Sequence, residues 1–321
     1  MSRTLIVVAL LSGAAMAAPA PDSVGFGAHT IVSPARRLGF VMTEDQARRP
    51  RLVAVDLGTG KQRWRSTAAV KPIVLRGDKL VALGPGGAVI ILDAKTGALA
   101  KPCSGIKGPA APFIDGLGIN QSAWGFDDGS ALYLAWSRST FYSGGAAPSP
   151  EMEARARTRT DTTWALDLTA CTAKVAKPVI PSFKVLVDAT TEIATPSGKT
   201  ARIEYTQSST GVRLTLVPAA ATTTTPIDLT EGDVRRYQAS ISIDHRFVIC
   251  GDPSNANLAM FDLETGAVTH PKLTGFPYSW MPLGNTIVVA GGSITAFATA
   301  TGKSLWTVAE RVTMYRGPYP P

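Results

Sequence analysis

The chain has 321 residues, of which 45% are hydrophobic and 17% are charged, and its formal net charge is +8. This composition excludes a globally disordered chain, because it supplies ample apolar side-chain volume for a core. It also argues against nucleic acid as a partner, since the basic residues are accompanied by neither a recognised binding motif nor interleaved aromatic side chains. The three histidines lie far apart and have no Cys or His neighbours, so a zinc site is not expected.

Residues 1–17 are organised as a secretory signal peptide. Arg3 supplies the positive charge, residues 4–11 form a short apolar core, and residues 15–17 read Ala-Met-Ala, a cleavage signal. The apolar core is shorter than the roughly 20 residues that a membrane-spanning helix requires. We therefore predict cleavage after Ala17 and an exported, soluble mature chain of residues 18–321, periplasmic or extracellular, without a transmembrane segment.

A short phrase recurs along the rest of the chain: an apolar run, an Asp, Thr-Gly three residues later, and in two copies a Trp. The positions that carry it are Asp56, Thr59, Gly60 and Trp64, then Asp93, Thr96 and Gly97, then Asp167, then Asp262, Thr265 and Gly266, and finally Thr301, Gly302 and Trp306. Asp56 and Asp93 are 37 residues apart, and Asp167 follows after twice that distance. Asp228, 34 residues before Asp262, fits the same series. Such a period marks one supersecondary unit that is used several times.

Short β-branched runs surround these copies and identify the unit. Examples are residues 79–83, 88–92, 247–250 and 286–290, each bounded by Gly, Asp, Asn or Pro. A strand-built repeat of roughly 35–50 residues is typical of a propeller blade. We predict an all-β fold, a single β-propeller domain of six to seven, or at most eight, four-stranded blades. We expect the ring to close by pairing of the N- and C-terminal strands, which hides the sheet edges.

The repeated residues have a structural explanation. The Asp carboxylate can accept hydrogen bonds from backbone N–H groups two or three residues further on, and the Gly can adopt a left-handed conformation at little cost. The Trp then begins the next strand and can pack between blades. We therefore interpret these positions as turn and packing residues and not as catalytic ones.

The motif Ala-x-Asp-x-x-Thr-Gly-x-x-x-Trp, nearly complete from Ala54 to Trp64, resembles the PQQ-like repeats of quinoprotein dehydrogenases. Those enzymes bind pyrroloquinoline quinone and calcium, and many carry an adjacent Cys pair that is absent from this sequence. The resemblance therefore implies a non-catalytic exported type without a cofactor, similar to the propeller subunit of the outer-membrane β-barrel assembly machinery, a protein-binding scaffold. The alternatives left open are a small PQQ- and calcium-dependent oxidoreductase and a glycan-binding propeller.

The three cysteines divide into a candidate pair and a single thiol. Cys103 and Cys171 both follow turns that end blades, and export makes a disulfide between them possible. Cys250 lies inside a strand-like run, which indicates a buried free thiol. Three unpaired cysteines are the alternative.

An insertion at about residues 143–161 breaks the period. It combines small residues and prolines with three alternating arginines, Arg155, Arg157 and Arg159. Long loops of this kind are often functional, although a solvated loop is the alternative. We predict that these arginines contact a partner protein or an anionic envelope polymer, so that the chain acts as a binding scaffold.

Overall fold

In the computed structural model, the described residues form six antiparallel sheets, each from one consecutive part of the chain. The structure describes residues 22–26, 30–44, 49–107, 117–142, 159–177, 189–208, 211–219, 225–229, 238–252, 257–273, 279–290 and 293–308. The predicted signal peptide therefore lies outside the described residues.

The first three sheets are blades 1 to 3. Their strands are β1 (Val24–Gly25), β2 (Thr30–Ser33), β3 (Leu38–Glu44), β4 (Pro50–Asp56) and β5 (Gln62–Ser66) in blade 1; β6 (Lys71–Arg76), β7 (Lys79–Leu83), β8 (Ala88–Asp93) and β9 (Leu99–Lys107) in blade 2; and β10 (Leu117–Asp127), β11 (Leu132–Tyr142), β12 (Arg159–Asp167) and β13 (Thr172–Val175) in blade 3. Consecutive strands pair, so each blade is a meander. Blade 1 has five strands instead of the expected four.

Blades 4 to 6 repeat the four-stranded meander. Their strands are β14 (Ala189–Ala194), β15 (Thr200–Ser208), β16 (Gly211–Val217) and β17 (Thr225–Leu229) in blade 4; β18 (Gln238–Ile241), β19 (Phe247–Asp252), β20 (Asn257–Asp262) and β21 (Val268–Thr269) in blade 5; and β22 (Trp280–Leu283), β23 (Thr286–Ala290), β24 (Ile294–Ala298) and β25 (Ser304–Thr307) in blade 6. The described residues contain one turn of 3-10 helix, Pro85–Gly87, and no α-helix. The prediction of an all-β multi-blade propeller is confirmed.

Apolar side chains fill the seams between neighbouring blades. Five seams have a cluster of buried residues from both sides: Phe40 and Leu80 for blades 1 and 2, Val81 and Leu134 for blades 2 and 3, Ile203 and Phe261 for blades 4 and 5, Ile249 and Ile287 for blades 5 and 6, and Val53 and Val288 for blades 6 and 1. Blades 1, 2, 5 and 6 each pack against a neighbour on both of their faces. Their strands can therefore have buried apolar residues at consecutive positions, as residues 52–55 of blade 1 do.

In the described part of the chain, blades 6 and 1 meet through side chains, and no described sheet combines N- and C-terminal strands. Among the described strands, blade 1 draws only on residues 24–66 and blade 6 only on residues 280–307. The indole of Trp306 instead packs on Gly60 of blade 1, so closely that a Cβ atom there would lie 2.6 Å from the ring. Gly60 has a φ angle of 71°, which a residue with a side chain adopts only with strain.

The same contact joins blades 1 and 2. The Trp64 ring packs on Gly97, where a Cβ atom would lie 2.5 Å from a ring carbon and the φ angle is 72°. The indole N–H of Trp64 also donates a hydrogen bond to the carbonyl oxygen of Ala94, at 2.9 Å. We call this arrangement, a Trp of one blade on the turn glycine of the next, the Trp–Gly contact.

Two positions of the predicted period are corrected. Asp228 does not belong to the repeat series, because it lies in the outermost strand β17, opposite Arg213, whereas the repeated Asp residues end the third strand of their blades. The third strand of blade 4 instead ends at Val217, followed by Pro218. The doubled spacing before Asp167 reflects the 11-residue strands β10 and β11 as well as the insertion, and strand β12 begins at Arg159, within the predicted bounds of the insertion.

The Trp–Gly contact predicts how much stability is lost when a methyl group is added to its glycine. Gly97→Ala should lower the free energy of unfolding by about 2–5 kcal/mol, because it combines a strained φ angle with overlap of the Trp64 ring. Gly284→Ala is the matched control, since Gly284 has a φ angle of 61° but nothing within 4 Å of its Cβ position. That control should lose only about 1–2 kcal/mol. Urea unfolding curves measure the free energy of unfolding of both variants. Equal decreases in that free energy would contradict the packing of the Trp64 ring on Gly97.

Candidate functional site

The turns that carry the repeated motif lie on one face of the propeller, which we call the repeat-turn face. In each complete copy the Asp carboxylate accepts hydrogen bonds from two backbone N–H groups of its own turn. The pairs are Gly58 and Thr59 for Asp56, Lys95 and Thr96 for Asp93, Thr169 and Ala170 for Asp167, and Glu264 and Thr265 for Asp262. In the last copy Ala298 has no carboxylate, and the carbonyl oxygen of Ala298 still accepts the backbone bond from the Gly302 N–H, at 2.8 Å.

The threonines of the motif continue the same turn. The hydroxyl oxygens of Thr59, Thr96, Thr265 and Thr301 each accept a hydrogen bond from the backbone N–H two residues further on. The residue after the Asp also donates its N–H to the turn between the first and second long strands of its own blade, as Leu57 does to Arg37 and Ala94 to Asp78. Both sets of contacts hold the backbone of the turns in place, so the repeated residues have a structural role.

Charged groups of the repeat-turn face are paired across the seams. Arg36 of blade 1 contacts Asp78 of blade 2 at 2.7 Å, and Arg76 of blade 2 pairs with Asp127 of blade 3. Arg246 and Asp262 form a pair inside blade 5, at 2.9 Å. These carboxylates already have partners within the fold, which leaves them poorly placed to act as a general acid or a metal ligand.

The seam between blades 2 and 3 replaces the Trp–Gly contact with a covalent bond. Cys171 lies four residues after Asp167, where other copies have Gly, and it has a φ angle of 53°. It forms a disulfide with Cys103 of β9, with the Cα atoms 5.1 Å apart. The ammonium of Lys101, at the Trp position, donates a hydrogen bond to the carbonyl oxygen of Thr169 at 2.7 Å. Cys250 is free and buried, and burial raises its pKa to about 12.

Arg159, the one insertion arginine that the structure describes, lies at the opposite face. Strand β11 ends at Tyr142 and β12 begins at Arg159, both on the side of blade 3 away from the turn of Asp167. Arg159 is opposite Ser139 in the sheet register. Arg155 and Arg157 lie outside the described residues. The structure therefore brings the Cys pair and the repeat residues together at the seams, and it brings no second site residue to the start of β12.

Sequence reasoning missed Lys71. This side chain lies at the start of β6, opposite Leu83, and is only 5% exposed. Burial lowers the pKa of its ammonium to about 8. The available signal was its position as the only charge at the head of an apolar run, residues 70–75.

The described ranges contain neither a cluster of metal ligands nor a membrane-spanning helix. Within them, no three His, Cys, Asp or Glu side chains are grouped as metal ligands. No helix in that part of the chain has the length and apolarity needed to cross a membrane. Of the three histidines, His29 lies outside the described residues, and burial lowers the pKa of His245.

The disulfide gives a prediction with its own internal control. Cys103→Ala should lower the free energy of unfolding by about 4 kcal/mol, because the bond closes a loop between residues 68 apart. Adding Cys171→Gly should then recover about 1 kcal/mol, since Gly suits the left-handed conformation at that position. Denaturant unfolding of the single and double variants measures both steps. A double variant less stable than the single one would show that Cys171 does not stand in for the turn glycine.

The lowered pKa of a repeat carboxylate predicts how the stability of the fold changes at acidic pH. Burial acts to raise the pKa of Asp262, but the hydrogen bonds from Arg246 and from the backbone of Glu264 outweigh it and hold the pKa below the ordinary 3.8. Since the pKa is lowered by folding, the carboxylate stabilises the fold fully above pH 3.8 and loses that effect as the pH falls through its folded value. Thermal midpoints between pH 7 and 2.5 should fall more steeply for the wild type than for Asp262→Asn. Parallel curves would contradict this.

Comparisons with known proteins agree with the fold and leave the function open. A family model described as outer membrane protein assembly factor BamB matches residues 12–147. No curated protein matches the chain. Among solved structures, BamB from Moraxella catarrhalis is similar at 14% identity with a TM-score of 0.25, covering 90% of this chain and 74% of that one.

Two other solved structures are similar at a comparable level. The Cps50 (Swd1) β-propeller domain of Myceliophteria thermophila has 15% identity and a TM-score of 0.32, with 87% of this chain and 96% of that chain covered. A putative 6-phosphogluconolactonase from Bacteroides fragilis has 15% identity and a TM-score of 0.33, with coverages of 91% and 85%. Likenesses this distant carry no argument about function. The repeated motif and the six sheets identify a β-propeller fold, and the matched segment, residues 12–147, is similar to PQQ-like repeats.

Proposed function

We propose that this chain is an exported, non-catalytic propeller that binds another protein and serves as a scaffold. The observation that carries the proposal is the match of residues 12–147 to the model of an assembly factor, in a chain that begins with a signal-peptide pattern. The seams support it, because Trp–Gly contacts, ion pairs and a disulfide hold the blades as a fixed frame. A fixed frame presents loops from several blades to a partner with little loss of conformational entropy.

The contact surface of the proposal is the face opposite the repeat turns. The carboxylates on the repeat-turn face are committed to their own turns and ion pairs, whereas the segment with Arg155, Arg157 and Arg159 joins strand ends on the other side. A partner that meets three arginines there should be acidic at the contact. Binding should then weaken with added salt, since exposed charges are screened beyond about 8 Å at physiological ionic strength.

Site-specific photo-crosslinking in the native envelope tests the proposal. A crosslinking residue is placed at position 146 on the insertion and, in a second variant, at position 301 on the repeat-turn face. We expect one discrete protein adduct from position 146 and none from position 301. Adducts from position 301 alone would contradict the choice of face, and no protein adduct from either position would contradict the scaffold function.

The arginines are tested with a charge-matched control. Replacing Arg155, Arg157 and Arg159 by Ala should weaken binding of the crosslinked partner about tenfold to a hundredfold, from three exposed ion pairs of roughly 0.5–1 kcal/mol each. The control replaces Lys61, Lys199 and Lys303, which lie in turns of the repeat-turn face, and removes the same charge. Titration calorimetry at two salt concentrations compares the variants. Equal losses in both would indicate a net-charge effect and would contradict a contact at the insertion.

A further inference from the structure

The N-terminal segment, residues 22–26, forms an additional strand at the centre of the propeller. Strand β1 pairs antiparallel with β2, the first long strand of blade 1, with Val24 opposite Val32 and Gly25 opposite Ile31. It is the fifth strand of a blade that otherwise has four, and it also lies against β10 of blade 3. A segment of this kind adds a strand to an exposed sheet edge, as bound peptides do.

Side chains of the same segment satisfy the edge of a second blade. The hydroxyl oxygen of Ser23 accepts a hydrogen bond from the backbone N–H of Leu75, at 2.8 Å, and Ser23 is only 5% exposed. The carboxylate of Asp22 accepts one from the N–H of Gly77. Both amides belong to the end of β6 and its turn, so the segment covers N–H groups that blade 2 leaves unpaired at its inner edge.

An aromatic anchor completes the arrangement. Phe26 has no exposed surface and packs in the cluster that joins blades 6 and 1, together with Met281 and with Ile243 of blade 5. Its backbone N–H donates to the carbonyl oxygen of Thr30, at 2.8 Å. The segment thus contacts five blades, blades 1, 2, 3, 5 and 6, directly or through one cluster, using backbone pairing, two side-chain acceptors and one buried ring.

We propose that the inner edges of β2 and β6 form a peptide-binding groove that residues 22–26 occupy as an intramolecular ligand. The groove accepts an extended segment in which a carboxylate and a hydroxyl side chain are adjacent and an aromatic ring follows three residues after the hydroxyl. A partner segment of this chemistry takes the place of β1 when β1 leaves. The groove does not depend on the insertion arginines, so it goes beyond the scaffold function proposed above.

Cleavage of the folded chain tests the groove. Residues 27–29, which connect β1 to β2, are replaced by a specific protease site, and the full chain is folded and then cut. Exchange of the bound segment for a labelled synthetic peptide of residues 18–26 is followed by fluorescence anisotropy. We expect saturable binding of the peptide, at least tenfold weaker binding when Asp22 and Ser23 are both Ala, and about a hundredfold weaker binding for Phe26→Ala.

A matched control peptide separates specific binding from nonspecific binding. The peptide with Gly25→Ala should bind as tightly as the original, because nothing lies within 4 Å of a Cβ atom at that position. Equal binding of the original and the Asp22/Ser23 double-Ala peptide, or no binding of either, would overturn the proposal.

Hydrogen exchange on the intact chain gives a readout that needs no cleavage. Replacing Asp22 and Ser23 by Ala should speed amide exchange at Leu75 and Gly77 at least tenfold while leaving strand β7 unchanged. Unchanged exchange at both amides would overturn the groove. Neither outcome depends on whether the envelope crosslinks are found, so failure of the groove and failure of the scaffold function remain distinguishable.

Discussion

The structure depends on the close approach of one blade to the turn of the next. A turn residue with a positive φ angle and no side chain, such as Gly60 or Gly97, lets a bulky group of the neighbouring blade lie directly on its backbone. The Asp that precedes it by four residues fixes the turn by accepting its N–H groups. The residues of Asp-x-x-Thr-Gly therefore act together: the Asp fixes the conformation of the turn, and the Gly, which has no side chain, lets the Trp ring pack on the turn backbone.

The group that fills this position varies around the ring, and the variation explains the degenerate copies. Trp64 and Trp306 fill it at two seams, the Cys103–Cys171 disulfide replaces it at a third, and Pro218 lies over Gly266 at a fourth. Blade 4 has lost the Asp of its own turn but still supplies Pro218 to blade 5. At these four seams the contact is filled in different ways, by an indole ring, a disulfide or a proline ring.

The sequence predicted the parts of the fold that local chemistry determines. The turns of Asp56 and Asp93, the strands before them and the six-sheet architecture all follow from short-range patterns of apolar residues and turn formers. Asp228 was assigned wrongly to the repeat because the prediction rested on its distance from Asp262 alone. Sequence distance does not show whether an Asp follows the third strand of a blade or lies in the fourth. Lys71 and the segment from Asp22 to Phe26 were missed for a related reason. Their environments come from blades distant in sequence, and no local periodicity records such contacts.

Closure shows how these parts fit together. A propeller whose first and last strands share a sheet uses its N-terminus as part of the outer wall. Here Trp306 and the cluster around Val53 and Val288 join blades 6 and 1 without a shared strand among the described sheets, so the N-terminal residues are not needed there. They run instead to the centre, where the inner edges of blades 1 and 2 hold them. The Trp–Gly contact at the seam between blades 6 and 1 thus leaves this segment available for the role of intramolecular ligand that we propose.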